Sequence, residues 1–121
     1  MKKTHGSFTT TDFNIWRGRV DILTGGFPCQ DASKAKQTGG RGQLGLEGHR
    51  TGLWWHMYRA IDEICPRWVV AENVANITRV NNGRDFAKIL HSLSGLGYNA
   101  EWKIMYASDA GAPQRRAQCY L

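Results

Sequence analysis

The sequence predicts an α/β fold with a mainly parallel sheet, and the alternation of two patterns carries this prediction. Short apolar runs bounded by glycine or proline are typical of buried strands, whereas longer stretches with apolar residues at helical spacing are typical of helices. The two patterns follow one another in the order β-α-β-α-β-β. Because strands joined through a helix lie parallel with a right-handed crossover, we expect helices packed on such a sheet.

The first three elements are marked by clear start and stop signals. The first predicted strand covers residues 20–24 and ends at a pair of glycines. The first helix is predicted from Leu53, with apolar residues at helical spacing until Pro66 ends the pattern. Residues 68–71 form a continuous apolar run, which is typical of a strand covered on both faces.

The remaining elements complete one unit that spans residues 1–121. An apolar stripe followed by two glycines predicts the second helix; it consists of Phe86, Ile89, Leu90 and Leu93. Residues 98–106 predict a third strand, and residues 119–121 predict the start of a fourth. No internal repeat is visible, and the length suits one domain.

The charge balance favours a polyanionic partner. Lys and Arg number 16 against 10 Asp and Glu, so the formal net charge is +6 and the isoelectric point about 9.6. No apolar run approaches the roughly 20 residues that cross a bilayer. No apolar stretch follows Met1-Lys2-Lys3 as it would in a secretory signal. We therefore expect a cytoplasmic protein without a membrane segment.

The cysteines do not suggest a structural framework. Cys29, Cys65 and Cys119 are odd in number and widely spaced, which argues against both a disulfide framework and a zinc site. We expect reduced thiols and no bound metal.

Six glycines and several basic residues lie between residues 38 and 53. Such a segment has little apolar surface to bury, so we expect a mobile, positively charged surface loop. Residues 40–45 match the pattern G-x-G-x-x-G, but that fingerprint has meaning only directly between a strand and a helix. A flexible loop is therefore the preferred interpretation over a phosphate-binding turn.

Two reactive side chains follow the first two predicted strands. Cys29 comes a few residues after the first strand, and Glu72 directly follows the second. In open α/β sheets ligands bind at the carboxyl ends of strands, so neighbouring strands would bring this thiol and carboxyl to one pocket. A lone cysteine is more often a small buried apolar residue, but the Gly-Pro turn before Cys29 favours exposure. A lone Glu72 would more often be a surface or ion-paired carboxylate.

Two other groups allow alternative interpretations. His49 or His56 could activate Cys29 for hydrolysis or acyl transfer, although a satisfied or solvent-facing histidine is the better explanation of each. The sequence Gln114-Arg115-Arg116 could be a solvated basic turn, or it could contact phosphates or bases.

Several blocks resemble, in order and spacing, the signature blocks of the DNA cytosine-5 methyltransferases. They are GGFPCQ at residues 25–30, ENV at 72–74 and QRR at 114–116. RTGLW at residues 50–54 resembles another segment of that family, and HGSF at residues 5–8 resembles a block that touches the cofactor. The resemblance runs over nearly the whole chain and implies a Rossmann-like methyltransferase core.

The resemblance implies methyl transfer from S-adenosylmethionine to C5 of a cytosine flipped out of double-stranded DNA, as in restriction-modification systems. Cys29 would be the nucleophile that adds to C6 of the base. Glu72 would bind N3 and the exocyclic amine and supply a proton. Arg116 would contact the target base region and help to fix Cys29.

The resemblance also implies a set of binding residues. The cofactor would be held by Pro28, Leu53 and Phe8. Contacts to DNA or the base would come from Gln30, Ser33, Arg41, Arg50, Asn73 and Gln114, with Asn73 also anchoring the turn behind Glu72.

The chain departs from the family pattern in several places. The glycine-rich first cofactor block, the acidic ribose-binding block, the target-recognition region and the C-terminal blocks have no counterpart. Ser7 stands where an Asp is usual, and Gln118 where a second Arg is usual. We therefore expect a central catalytic-core fragment that a complementing chain could complete. The alternative is a non-catalytic remnant or subunit that binds DNA or a partner chain.

Overall fold

The structure is a computed structural model that describes residues 10–27 and 54–121. In it, two helices and four strands follow one another in the predicted order. The strands are β1 (Ile22–Gly26), β2 (Trp68–Val74), β3 (Lys103–Tyr106) and β4 (Ala117–Tyr120). The helices are α1 (Trp54–Ile64) and α2 (Arg84–Gly95). Short 3-10 turns lie at Asn14–Trp16, Ala75–Thr78, Val80–Gly83 and Ala107–Ala110. The described part of the chain is thus the α/β core that the sequence predicts.

The four strands form one mixed sheet in the order β1-β2-β4-β3. β1 and β2 are parallel, and β4 runs antiparallel to both of its neighbours, so β1, β2 and β3 share one direction. The expected parallel arrangement therefore holds for three strands, and β4 is the exception. The connection from β3 to β4 contains only a 3-10 turn and a left-handed Gly111, which is too short for a crossover to a parallel strand.

Both helices pack on the same face of the sheet. Their buried side chains form one cluster with Ala71 of β2 and Cys119 of β4; they are Trp54, Met57, Ile61, Phe86, Ile89 and Leu93. Trp54 is fully buried, its ring centroid lies 5.1 Å from that of Phe27, and its indole N–H donates to the Ser92 hydroxyl at 3.3 Å. This cluster fixes the end of β1 against α1.

The opposite face of the sheet is exposed. Side chains alternate between faces along a strand, and buried Ala71 and Asn73 therefore place Trp68 and Val70 on the other side. Five large apolar side chains share this surface, which we call the open face: Ile22, Trp68, Val70, Met105 and Tyr120. Trp68 is 66% exposed and Ile22 57%. The expectation that β2 is covered on both faces is wrong within the described residues, because both described helices lie on one side.

Candidate active site

The carboxyl ends of β1, β2 and β3 meet the amino end of β4 at one end of the sheet. β1 and β2 are direct neighbours, with Gly26 paired to Glu72. The chain that continues beyond Phe27 towards Cys29 therefore leaves the sheet beside Glu72. β1 and β2 are thus neighbours, as a shared pocket requires, although β2 runs two residues past Glu72 to Val74. Cys29 itself lies outside the described residues.

The carboxyl group of Glu72 lies over the last residue of β1. A Cβ atom built on Gly26 would lie 2.7 Å from Glu72 Oε2, closer than two such atoms can approach. The absence of a side chain at Gly26 thus leaves the room that this carboxyl group occupies. Sequence reasoning missed this role, because it treated the two glycines as the stop signal of the first strand, whereas β1 includes both of them.

Asn73 ties the end of β2 to the turn that follows β1. Its side chain is buried, its Nδ2 donates to the Phe27 carbonyl at 3.2 Å, and its Oδ1 accepts from the Val74 N–H at 2.8 Å. It lies on the face that carries the helices, opposite to Glu72. These contacts are compatible with the anchoring role that the family resemblance implies for Asn73, and its contact to DNA stays a prediction.

The basic turn before β4 enters the same end of the sheet. Gln114 and Arg116 are exposed, and the Arg116 carbonyl accepts a hydrogen bond from the Ala107 N–H at 2.9 Å. Because β4 pairs antiparallel with β2, Arg116 lies at the end of the sheet where Glu72 lies. The structure therefore places the end of β1, Glu72 and Arg116 at one end of the sheet. The catalytic role that the family resemblance implies for Arg116 stays a prediction.

Gln118 shares a sheet face with Glu72. The pairs Val74–Gln118 and Glu72–Tyr120 place Gln118 on the side of Glu72, one pleat further along β4. Its Oε1 is buried and accepts no hydrogen bond from residues 10–27 or 54–121. A buried acceptor without a donor is costly.

Several predicted site residues fall outside the described residues. They are Phe8, Pro28, Cys29, Gln30, Ser33, Arg41, Arg50 and Leu53, together with His49 and the glycine-rich segment. His56 is described and lies in the first turn of α1, which packs on the face opposite to Glu72. Within residues 10–27 and 54–121, no group of three His, Cys, Asp or Glu side chains could hold a metal ion. No helix in this part of the chain is long and apolar enough to cross a membrane.

Neither described cysteine lies on the sheet face that carries Glu72. Cys65 is exposed after the end of α1, and its thiol donates to the Asp62 carbonyl at 3.1 Å. Cys119 is buried in β4 on the face opposite to Glu72, and this burial raises the pKa of its thiol.

We expect dithionitrobenzoate or iodoacetamide to label Cys65 in the folded chain and to label Cys119 only after unfolding. The reason is that the thiolate is the reactive form, and burial both shields Cys119 and keeps its thiol protonated to higher pH. Peptide mapping by mass spectrometry, in native buffer and in denaturant, measures the two rates. Equal labelling of both thiols in native buffer would contradict the described packing of β4.

The fold and this site together define a class of protein. It is an α/β core in which a carboxylate and an arginine-bearing turn lie at the end of the sheet where the parallel strands end, the end at which open α/β sheets bind ligands. The sequence profile of the C-5 cytosine-specific DNA methylase family matches residues 2–121. The chain belongs to this family.

Individual relatives agree with this assignment. The type II methyltransferase M.Sau3AI of Staphylococcus aureus is 39% identical over 114 residues, which are 92% of this chain and 27% of that protein. M.PspPI of Psychrobacter sp. (strain TA137) is 42% identical over 111 residues, 91% of this chain and 26% of that protein. A solved structure is described as a DNA modification methyltransferase encoded within an E. coli prophage. The match covers 84% of this chain and 25% of that chain, with a TM-score of 0.59 and 28% sequence identity. The chain spans about a quarter of the length of these relatives.

Proposed function

We propose that this chain is the central catalytic part of a DNA cytosine-5 methyltransferase of a restriction-modification system, acting in the cytoplasm. The observation that carries the proposal is the placement of the Glu72 carboxyl group over Gly26, where β1 ends and the chain continues to Cys29. Arg116 enters the same end of the sheet from the basic turn. A flipped cytosine could lie there with one edge on Glu72 and one face towards Cys29.

The proposed chemistry uses these side chains in a fixed order. The Cys29 thiolate adds to C6 of the cytosine while Glu72 holds the exocyclic amine and gives a proton to N3. The electron pair displaced from the C5–C6 bond makes C5 nucleophilic. S-adenosylmethionine supplies the methyl group that C5 accepts. Loss of the C5 proton to a base, departure of the thiolate from C6 and return of the N3 proton to Glu72 then restore the aromatic ring.

The proposed cofactor residues are Phe8, Pro28 and Leu53, which come from the family resemblance. Segment 28–53 leaves the sheet at the carboxyl end of β1 and leads into α1, which suits Pro28 and Leu53, its first and last residues. Ligands of open α/β sheets bind at such an end.

Double-stranded DNA is the proposed partner. A cytosine inside a duplex cannot reach Glu72, so it must be extruded at a cost of a few kcal/mol. The net charge of +6 supplies sequence-independent attraction to phosphates that offsets part of this cost.

We further propose that the open face packs against methyltransferase segments that this sequence does not contain, for example on a complementing chain. Parallel sheets are normally covered on both faces. Exposed Trp68, Ile22 and Val70 would otherwise form an apolar patch in water. The relatives are about four times as long as the matched segment and so have ample additional chain.

A non-catalytic DNA-binding subunit is the second candidate function. The observation that favours it is Gln118, which carries no charge on the face of Glu72 where the family resemblance leads one to expect an arginine. A cysteine hydrolase is less well supported, since α1 carries His56 on the helix-covered side of the sheet. Methyl transfer distinguishes the first candidate from the other two.

The experiment uses a chimera in which this chain replaces the matched segment of the S. aureus relative. The wild-type chimera is expected to transfer tritiated methyl groups to DNA. Gly26→Ala is expected to lower this rate by roughly 10- to 100-fold, because its Cβ would displace the Glu72 carboxyl group and small misplacements of reacting groups are costly. The free energy of unfolding should change by only about 1 kcal/mol, since the far end of a flexible side chain can move aside.

Gly25→Ala is the matched control. Its Cβ would meet the Met57 methyl group at 3.4 Å on the other face of the sheet, at an ordinary contact distance. We expect this variant to keep nearly the full rate of methyl transfer. An inactive wild-type chimera, or equal losses in both glycine variants, would contradict the proposed function of this site.

A further inference from the structure

A groove of about 400 Å³ lies at the same end of the sheet as Glu72 but is separate from it. Its floor includes Ile104 and Ala117, which share the helix-covered face with Cys119. Two arginines, Arg79 from the segment after β2 and Arg115 from the basic turn, line its sides. The groove is large enough for part of a nucleotide chain.

The two arginines are available for a ligand. Arg79 and Arg115 are both exposed, and neither forms an ion pair with any residue in the described ranges. The Arg115 guanidinium lies 5.2 Å from the ring centroid of Tyr106, so the ring holds it over the groove. Tyr106 lines the groove, and its backbone N–H donates a hydrogen bond to the Asp109 carboxylate at 3.3 Å. This bond turns the Asp109 carboxylate towards the backbone.

The position of the groove relates it to the proposed active site. The groove floor and the Glu72 carboxyl group lie on opposite faces of the sheet, and the two sites adjoin at the sheet end: Val74 lines the groove and follows Glu72 by two residues on β2, about 7 Å along the strand. Two guanidinium groups beside an aromatic ring form a surface suited to phosphates next to a base or sugar.

We propose that this groove binds the sugar-phosphate backbone of DNA next to the flipped cytosine, with phosphates held by Arg79 and Arg115. The inference rests on the proposed function in taking DNA as the ligand. It goes further by assigning to Arg79, Arg115 and Tyr106 a binding site that is separate from the site at Glu72. Phosphate contacts position a duplex without reading its sequence, so the groove is a sequence-independent site.

The test measures binding of a fluorescein-labelled duplex of mixed sequence to the chain as it exists, by fluorescence anisotropy over a series of NaCl concentrations. Arg79→Gln and Arg115→Gln are each expected to weaken binding by about tenfold at low salt. Each should also lower the slope of log K against log salt by about 0.9, and the double variant by about 1.8. Both side chains are exposed, so the fold should be unaffected.

Arg67→Gln is the matched control, because Arg67 is an exposed arginine directly before β2, at the opposite end of the sheet. It removes the same charge and is expected to leave the slope unchanged. Equal effects of all three substitutions, or no binding of the duplex by the wild-type chain, would overturn the proposal. Labelled polyglutamate bound as tightly as DNA, with the same losses in the variants, would assign the groove to an acidic peptide instead.

This outcome is separable from that of the proposed function. Binding is measured on the chain alone, without cofactor, and the groove variants leave Glu72 and Cys29 in place. If the wild-type chain binds DNA and the groove variants behave like Arg67→Gln, only the proposal that the groove binds DNA would be overturned. Loss of methyl transfer in the chimera with intact groove-dependent binding would overturn the proposed function only.

Discussion

Glu72→Gln in the chimera is expected to lower the rate of methyl transfer by about 10²- to 10⁴-fold, the range that a positioned proton donor contributes. Glutamine has the shape of the protonated carboxyl group and can still bind the base edge, but it cannot give a proton to N3. Within the described residues the Glu72 carboxylate forms no ion pair, so the substitution breaks no structural contact of that kind. Stability should therefore be nearly unchanged.

The measurement is single-turnover transfer of tritiated methyl groups, with denaturant unfolding in parallel. Glu101→Gln is the control, because Glu101 is exposed and precedes β3, at the opposite end of the sheet from Glu72. It makes the same chemical change and is expected to keep full activity. A Glu72→Gln chimera that retains more than about a tenth of the rate would refute the assigned proton transfer.

Cys29→Ala in the chimera is expected to abolish methyl transfer, and Cys29→Ser to fail as well, because an alcohol is far less ionised than a thiol at neutral pH. Neither described cysteine can substitute: Cys119 is buried on the face opposite to Glu72, and Cys65 follows α1. Cys65→Ala is the control and should remain fully active. The readout is the same tritium assay, and residual transfer in Cys29→Ala would assign the nucleophile elsewhere.

Local sequence patterns predict most of the described elements well. The apolar spacing that ends at Pro66 corresponds to α1 (Trp54–Ile64), and the apolar run from residue 68 corresponds to the start of β2. These features depend on neighbours along the chain. The insertion of β4 between β2 and β3 could not be predicted in this way, because it depends on pairing between segments that are distant in the sequence. The open face was likewise unpredictable, since a continuous apolar run does not reveal which side a helix covers.

The candidate site divides in the same way. Glu72 and Arg116 are found from their places at strand ends and from the family resemblance, and the structure brings them to one end of the sheet. The space that Gly26 leaves for Glu72 depends on the register between β1 and β2, which no local pattern fixes. The bond from Asn73 to the Phe27 carbonyl joins residues that are 46 positions apart and is hidden from sequence for the same reason.

The most direct test of the central claim is covalent trapping with duplex DNA that carries 5-fluorocytosine. After methyl transfer the fluorine at C5 cannot leave as a proton does, so the thiolate stays bonded to C6 and the protein migrates with the DNA on a denaturing gel. We expect little or no adduct from the isolated chain, because it spans only about a quarter of the length of its methyltransferase relatives. The chimera is expected to form the adduct with S-adenosylmethionine present and to lose it in Cys29→Ala. An adduct that persists in the Cys29→Ala chimera would contradict the account.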